Sequence, residues 1–96
     1  EARMKIKLVK FGEILTSREA GREAALAIRA YQKPSRDESI ELDFDGVLAV
    51  GPSWLGEVLT SLNAEYGKAR VLCLPSDNRS VIESLNILNT EDSDID

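Results

Sequence analysis

Residues 40–59, IELDFDGVLAVGPSWLGEVL, limit the folds open to this chain. Apolar and acidic residues alternate from Ile40 to Phe44, which is typical of a strand with one buried face. Gly51 and Pro52 then mark a corner, because proline suits the first position of a helix. The residues after the corner carry apolar side chains at helical spacing. The pattern therefore predicts a strand that leads into an amphipathic helix.

The rest of the chain repeats this order of strand and helix. Alternation in residues 4–11 predicts a first strand, and a capping box at Thr16–Glu19 predicts the helix after it. Arg70 opens a third strand, and residues 71–74 are apolar without alternation, which predicts a central strand buried on both faces. A second capping box, Ser80–Glu83, begins the last helix. The order β-α-β-α-β-α predicts a small two- or three-layer α/β sandwich, with three helices and a mostly parallel or mixed sheet of three to four strands.

Length and composition indicate one domain with an acidic tail. The chain has 96 residues, of which 43% are hydrophobic, enough for one core. We place the domain at residues 4–89. Four of the seventeen acidic residues fall within residues 91–96, and we expect residues 90–96 to be disordered. Met4 has the position of a natural start, and whether residues 1–3 are native stays open.

Charge and residue usage exclude several classes of function. A net charge of −5 argues against DNA or RNA as the main ligand. The chain has no apolar run of about 18 residues and no signal-peptide pattern, so we expect a cytoplasmic protein without a membrane segment. There is no histidine, which removes the usual zinc ligand and general base. The single cysteine, Cys73, lies in an apolar run and is expected to be a core residue. We expect no metal and no cofactor.

Residues 43–48, DFDGVL, resemble the first motif of the haloacid dehalogenase-like phosphatases. That resemblance implies Asp43 as the nucleophile and Asp45 as the general acid, with magnesium beside them. Phosphoryl transfer also needs a cation at the phosphoryl group and further carboxylates for the metal. Only one strand follows, and its loop supplies Asp77 but no lysine. We therefore expect no enzyme, and a magnesium-dependent aspartyl phosphotransferase is the alternative.

Four segments carry a second resemblance: FGEILTSREA, IELDFDGV, PSWLGEVL and VLCLPSDNRSVIESLN. Together they resemble the STAS-like domain of unknown function found in bacterial and archaeal proteins. The matching positions are Ser17, Arg18, Leu42, Asp43, Phe44, Gly46, Val47, Ser53, Trp54 and Glu57. Gly56 departs from the group, which often has aspartate there. The resemblance implies a prokaryotic regulatory domain that acts through protein–protein interaction.

The group is named for its similarity to the STAS domains of sulfate transporters and anti-sigma factor antagonists. In those antagonists a serine at the corresponding corner is phosphorylated by a partner kinase, and aligning GPSWLG with that corner places Ser53 on the phosphoacceptor. The helix dipole and the free amides of a first helical turn would stabilise a phosphate there. The resemblance implies a histidine-kinase-like ATPase or an anti-sigma factor/serine kinase as the partner.

The candidate partner-binding surface is the corner that begins the second helix. Its residues are Gly51, Pro52, Ser53, Trp54 and Glu57. An indole at this place suits either an interface anchor or the core, and both readings stay open. The candidate supporting residues are Ser17, Arg18 and Asp43, and Arg18 could reach the carboxylate of Asp43 or of Glu57. A small-ligand-binding module of the same fold is a further alternative, and the sequence does not predict the oligomeric state.

Overall fold

The computed structural model describes residues 3–35 and 37–95, and it describes side chains as far as residue 90. In chain order, the described elements are β1 (Arg3–Lys7), β2 (Ile14–Leu15), α1 (Arg18–Ala27), β3 (Ser39–Asp43), β4 (Ala49–Val50), α2 (Pro52–Tyr66), β5 (Val71–Cys73) and α3 (Arg79–Ile95). Short 3-10 turns lie at Leu8–Phe11 and Lys68–Arg70, and a π-helical turn at Ile28–Gln32 extends α1. The predicted α/β class with three helices is confirmed.

The strands form two parallel sheets. The larger has the order β1-β3-β5, and in its centre Ile40 pairs with Met4 on one side and with Val71 on the other. The smaller joins β2 to β4, where Ile14 pairs with Ala49. The paired strands are parallel, so each pair is linked by a crossover connection that contains a helix.

Strand β5 lies at an edge of the sheet, so the prediction that it is central was wrong. Val71 is buried, but the next residue, Leu72, is 46% exposed. Alternate side chains of a strand point to opposite faces, so Leu72 points to the face opposite that of Val71. An apolar run without alternation therefore did not indicate burial on both faces. The central strand is β3, whose alternating pattern places Ile40 and Leu42 in the core.

Helix α1 approaches α2 closely because Gly21 has no side chain. A Cβ atom on Gly21 would lie 2.5 Å from the carbonyl oxygen of Trp54 and 2.9 Å from its Cα. The buried side of this helix carries Ala24 and Ala25, and Ile28 continues it in the following turn, while Tyr31 is 84% exposed.

One strand boundary differs from that predicted. Strand β1 ends at Lys7, because the chain turns at Leu8–Phe11 and buries Leu8. Helix α3 is described as far as Ile95, and disorder of residues 90–96 stays a prediction. The Thr90 hydroxyl donates to the carbonyl oxygen of Asn86 at 2.9 Å, so Thr90 lies within a helical turn. No glycine or proline follows Arg79, so no residue of that kind interrupts the helix. Asp96 lies outside the described residues.

Candidate functional site at the start of helix α2

Helix α2 begins at the corner that the sequence predicted. Gly51 is extended, with φ −118° and ψ 160°, and Pro52 takes the first helical position. A missing N–H costs nothing there, since the first amides of a helix have no partner within it. The amide of Leu55 donates to the carbonyl oxygen of Gly51 at 3.1 Å and closes the first turn. Ser53 is therefore the second residue of the helix, and its side chain is half-buried.

The residue before the corner, Val50, is held by two serines of α3. Its amide donates to Ser80 Oγ at 3.0 Å, and its carbonyl oxygen accepts from Ser84 Oγ at 3.1 Å. On the other side, the amide of Gly51 donates to the carbonyl oxygen of Leu15 at 2.9 Å. Bonds from both directions fix the path of the chain into α2, so the corner is preorganised.

Asn78 completes this support from the loop before α3. Its Nδ2 donates to the carbonyl oxygens of Val47 and Leu48 at 3.2 and 3.0 Å. Its Oδ1 accepts from the amide of Ser80 at 2.9 Å and so caps α3. The sequence predicted Ser80 as the cap, but the Ser80 hydroxyl is bonded to Val50 instead. An asparagine directly before the helix was the only local signal of this role.

Two arginines of α1 converge on one carboxylate of α2. Arg18 Nη1 lies 3.1 Å from Glu57 Oε2, and Arg22 Nε lies 3.4 Å from Glu57 Oε1. Of the two predicted acceptors for Arg18, the structure therefore selects Glu57. Arg22 was not predicted, although its position four residues after Arg18 puts it on the same helix face.

A cleft of about 280 Å³ lies where the starts of α1 and α2 meet α3. Arg18, Ser53 and Glu57 line one side, and Ile87 and Leu88 of α3 line the other. No hydrogen bond to the Ser53 hydroxyl occurs among the residues whose side chains are described. The cleft thus brings a hydroxyl, a guanidinium and a carboxylate to one opening at the N-terminal end of a helix. We call these three residues, with Gly51 and Pro52, the Ser53 corner.

Trp54 is not exposed at this surface, so of the two readings left open for its indole the structure supports the core rather than the interface anchor. Its side chain is fully buried, and its ring lies 6.4 Å from that of Phe11, centroid to centroid. The close approach of α1 through Gly21 covers it. Ser17, proposed as support, caps its own helix instead: its Oγ accepts from the amide of Ala20 at 3.0 Å. This also moves the predicted cap from Thr16 to Ser17.

Asp43, also proposed as support, lines a different cleft from that of Arg18. That cleft, of about 540 Å³, is lined by Asp43, Asp45, Pro75, Ser76 and Asp77. Asp43 Oδ1 accepts from the amide of Asp45 at 3.0 Å, which stabilises the turn after β3. In the described part of the chain, no group of three or more acidic or cysteine side chains has an arrangement that could hold a metal ion. Nor is any described helix both long and apolar enough to cross a membrane.

Comparison with known proteins gives one match. A protein-family model, described as a STAS-like domain of unknown function, matches residues 25–94. No curated protein and no solved structure matches the chain. The matched residues include the Ser53 corner apart from Arg18, and they make up more than half of the 96 residues. The chain therefore belongs to the family of STAS-like domains of unknown function.

Proposed function

We propose that this STAS-like domain is a cytoplasmic regulatory module that acts through protein–protein contact, and that phosphorylation of Ser53 switches the contact. The observation that carries the proposal is the cleft in which the Ser53 hydroxyl, the Arg18 guanidinium and the Glu57 carboxylate meet. Ser53 is half-buried and is one of the residues that line this cleft. The rigid corner behind it keeps the hydroxyl in place.

A phosphate on Ser53 would alter the charges of the corner. It adds a charge of about −1.5 to −2 and three acceptor oxygens at the positive end of the α2 dipole. Arg18 lines the same cleft, so the phosphate competes with Glu57 for this guanidinium. Glu57 keeps Arg22 as its partner, and the contact between α1 and α2 persists. The modification therefore changes the surface of the corner rather than the fold.

The same cleft offers apolar surface to a protein partner. Ile87 lies across from Ser53 and is 45% exposed, and Leu88 lies beside it. Apolar side chains next to charged ones are suited to a regulated protein contact, because charge controls access to the apolar part. By resemblance to the anti-sigma factor antagonists, the partner class is a histidine-kinase-like ATPase or an anti-sigma factor/serine kinase.

Affinity purification from the source organism tests the switch. The wild-type chain, Ser53→Ala and Ser53→Asp are used as baits, and bound proteins are quantified by mass spectrometry. Ser61→Asp, in the same helix but outside the cleft lining, is the matched control. We expect Ser53→Ala and Ser61→Asp to retain the wild-type partner, and Ser53→Asp to reduce its recovery about tenfold. Equal recovery with all four baits would contradict the switch.

We also propose that the domain has no catalytic activity of its own. The cleft that holds Asp43 and Asp45 has acidic residues in its lining and no arginine or lysine there, so it lacks the cation that phosphoryl transfer needs. Incubation with p-nitrophenyl phosphate and magnesium should give the same background rate for wild type and Asp43→Asn. Hydrolysis that disappears in Asp43→Asn would establish the phosphotransferase alternative.

A further inference from the structure

Strand β5 has an outer edge that no described strand covers. In the sheet order β1-β3-β5, β3 pairs with one side of β5, and the described part of the chain places no strand on the other side. The amide of Leu74 donates to the carbonyl oxygen of Leu42 on the β3 side. Because the backbone groups of successive strand residues point to opposite sides, those of Val71 and Cys73 point outward. The Val71 amide bonds to the carbonyl oxygen of Lys68, so the Cys73 N–H and the carbonyl oxygens of Val71 and Cys73 face a possible further strand.

This edge lacks the charges that protect the opposite edge of the sheet. Strand β1 carries three exposed basic residues on one face, Arg3, Lys5 and Lys7. Charged side chains of this kind keep a free edge from pairing with another sheet. Strand β5 reads Val-Leu-Cys, without charge or proline, and Leu72 is 46% exposed. Of the two edges, that of β5 is therefore the one suited to pair with a further strand.

The charges around β5 indicate which strand that is. Lys68 precedes β5 and Asp77 follows it, and both are exposed. An antiparallel copy of β5 reverses this order, so Lys68 of each copy lies near Asp77 of the other. Lys68 already takes part in another polar interaction, but an ammonium has three N–H donors and can serve a further acceptor. Opposite charges thus come together twice between two identical copies, whereas a parallel copy would bring like charges together.

We infer that β5 pairs with β5 of a second copy of this chain, antiparallel about a two-fold axis at Leu72. The Cys73 N–H of each copy donates to the Val71 carbonyl oxygen of the other. Leu72 lies opposite Leu72 of the second copy, and the contact withdraws both side chains from water. The two three-stranded sheets become one sheet of six strands.

The interface is small, so the dimer is weak and forms at high concentration. The strand pairing and one leucine pair bury less than the area of about 1,000 Å² that a stable complex needs. The monomer, with a free Cys73 amide, predominates in dilute solution. No residue of β5 lines the cleft at the Ser53 corner. The inference therefore goes beyond the proposed switch and does not depend on phosphorylation of Ser53.

Sedimentation equilibrium of the full chain tests the pairing. The mass of the wild type should rise from 10.6 kDa towards twice that value as the concentration is raised, with a Kd of about 1 mM. Leu72→Lys places two like charges at the axis and should weaken association at least tenfold. Leu48→Lys, which changes another exposed leucine outside β5, should associate like the wild type. A mass that stays at 10.6 kDa throughout, or equal association of Leu72→Lys and the wild type, would overturn the inference.

Charge exchange tests the antiparallel order. Lys68→Asp brings two aspartates together at each end of the pairing and should weaken association about threefold. Lys68→Asp/Asp77→Lys restores opposite charges and should recover the wild-type value. Lys68→Asp/Glu23→Lys has the same net charge, but Glu23 lies on α1, so this variant should stay weak. Equal association of the two double variants would contradict the antiparallel pairing.

Cysteine crosslinking locates the axis. The Cα atoms of an antiparallel pair without mutual hydrogen bonds lie about 4.5 Å apart, within the range of a disulfide. In a Cys73→Ala background, oxidation with copper–phenanthroline should link Leu72→Cys chains into dimers at least tenfold faster than Leu48→Cys chains. Equal rates for the two variants would overturn the inference. If the Cys73→Ala background fails to fold, the masses of the wild type and Leu72→Lys decide alone.

Discussion

Gly21 sets the distance between α1 and α2, because any side chain at this position would meet the backbone of Trp54. The Gly21→Ala variant places its Cβ within 2.5 Å of the Trp54 carbonyl oxygen, so the helices must separate. Alanine favours an isolated helix by about 1 kcal/mol over glycine. We expect the steric cost to exceed this gain and the free energy of unfolding to fall by about 2 kcal/mol in urea denaturation.

Gly56→Ala is the matched control for that variant, since Gly56 is also a helical glycine. Its added Cβ would meet one atom within 4 Å, Leu88 Cδ2 at 3.3 Å, which is the end of a flexible side chain. We expect Gly56→Ala to be at least as stable as the wild type within about 0.5 kcal/mol. Equal effects of the two substitutions would show that helix contact does not depend on Gly21.

The reactivity of Cys73 should depend on pH in a way that follows from its burial. Desolvation raises the pKa of the thiol from 9.0 to about 11, so at pH 8 the thiolate fraction is about 100-fold below that of a model thiol. Because the thiolate is the reactive form, alkylation by iodoacetamide should be slower by at least that factor. The rate should still rise between pH 9 and 11, where a model thiol levels off. A rate equal to that of a model thiol at pH 8 would contradict this burial.

Residues of the candidate site were predictable where their role depends on local sequence. Pro52 and Ser53 follow a glycine at a strand-to-helix corner, so their positions were correctly predicted. The choice between core and interface for Trp54 could not be made from the sequence, because its burial depends on Gly21 in another helix.

Asn78, directly before helix α3, supports the segment that leads to the Ser53 corner. Asn78 makes hydrogen bonds to Val47, Leu48 and the amide of Ser80. Asn78→Ala removes these bonds and leaves the cap of α3 empty. We expect the free energy of unfolding to fall by about 2 kcal/mol, since a lost cap and unpaired carbonyl oxygens each cost about 1 kcal/mol. The measurement is urea denaturation followed by circular dichroism.

Asn86→Ala controls for the loss of an asparagine side chain from α3 itself. Asn86 is exposed. The Thr90 hydroxyl donates to its backbone carbonyl oxygen, and alanine retains that carbonyl. Its stability should stay within about 0.5 kcal/mol of the wild type. An equal loss in both variants would indicate that Asn78 has no special role.

Sequence patterns predicted the helices, but they misplaced the helix caps and missed the two shortest strands. Capping boxes predicted α1 and α3, and Pro52 with the apolar spacing after it predicted α2, since these signals belong to each helix alone. The caps were displaced to Ser17 and Asn78 because several polar residues near each start compete for the same amides. The small strands β2 and β4 pair over two residues each, which is too short for alternation to reveal.

For the whole molecule, the order β1-β3-β5 predicts a specific pattern of amide exchange. The amide of Leu74 donates to the carbonyl oxygen of Leu42 at 3.0 Å, so the preceding amide, that of Cys73, points to the open edge. Exchange at Cys73 should therefore be at least tenfold faster than at Leu74 or Leu42 in hydrogen-exchange NMR. Strong protection of Cys73 would instead support the central position of β5 that the sequence had suggested.

Phosphopeptide mapping of the chain isolated from its source organism tests most directly whether Ser53 carries a regulatory phosphate. Trypsin should release residues 37–68 as one peptide, which also contains Ser39, Thr60 and Ser61, so fragment ions must assign the site. We expect phosphate on Ser53, and none on this peptide in Ser53→Ala. Phosphate on another residue, or none under any growth condition in which the partner is bound, would contradict it.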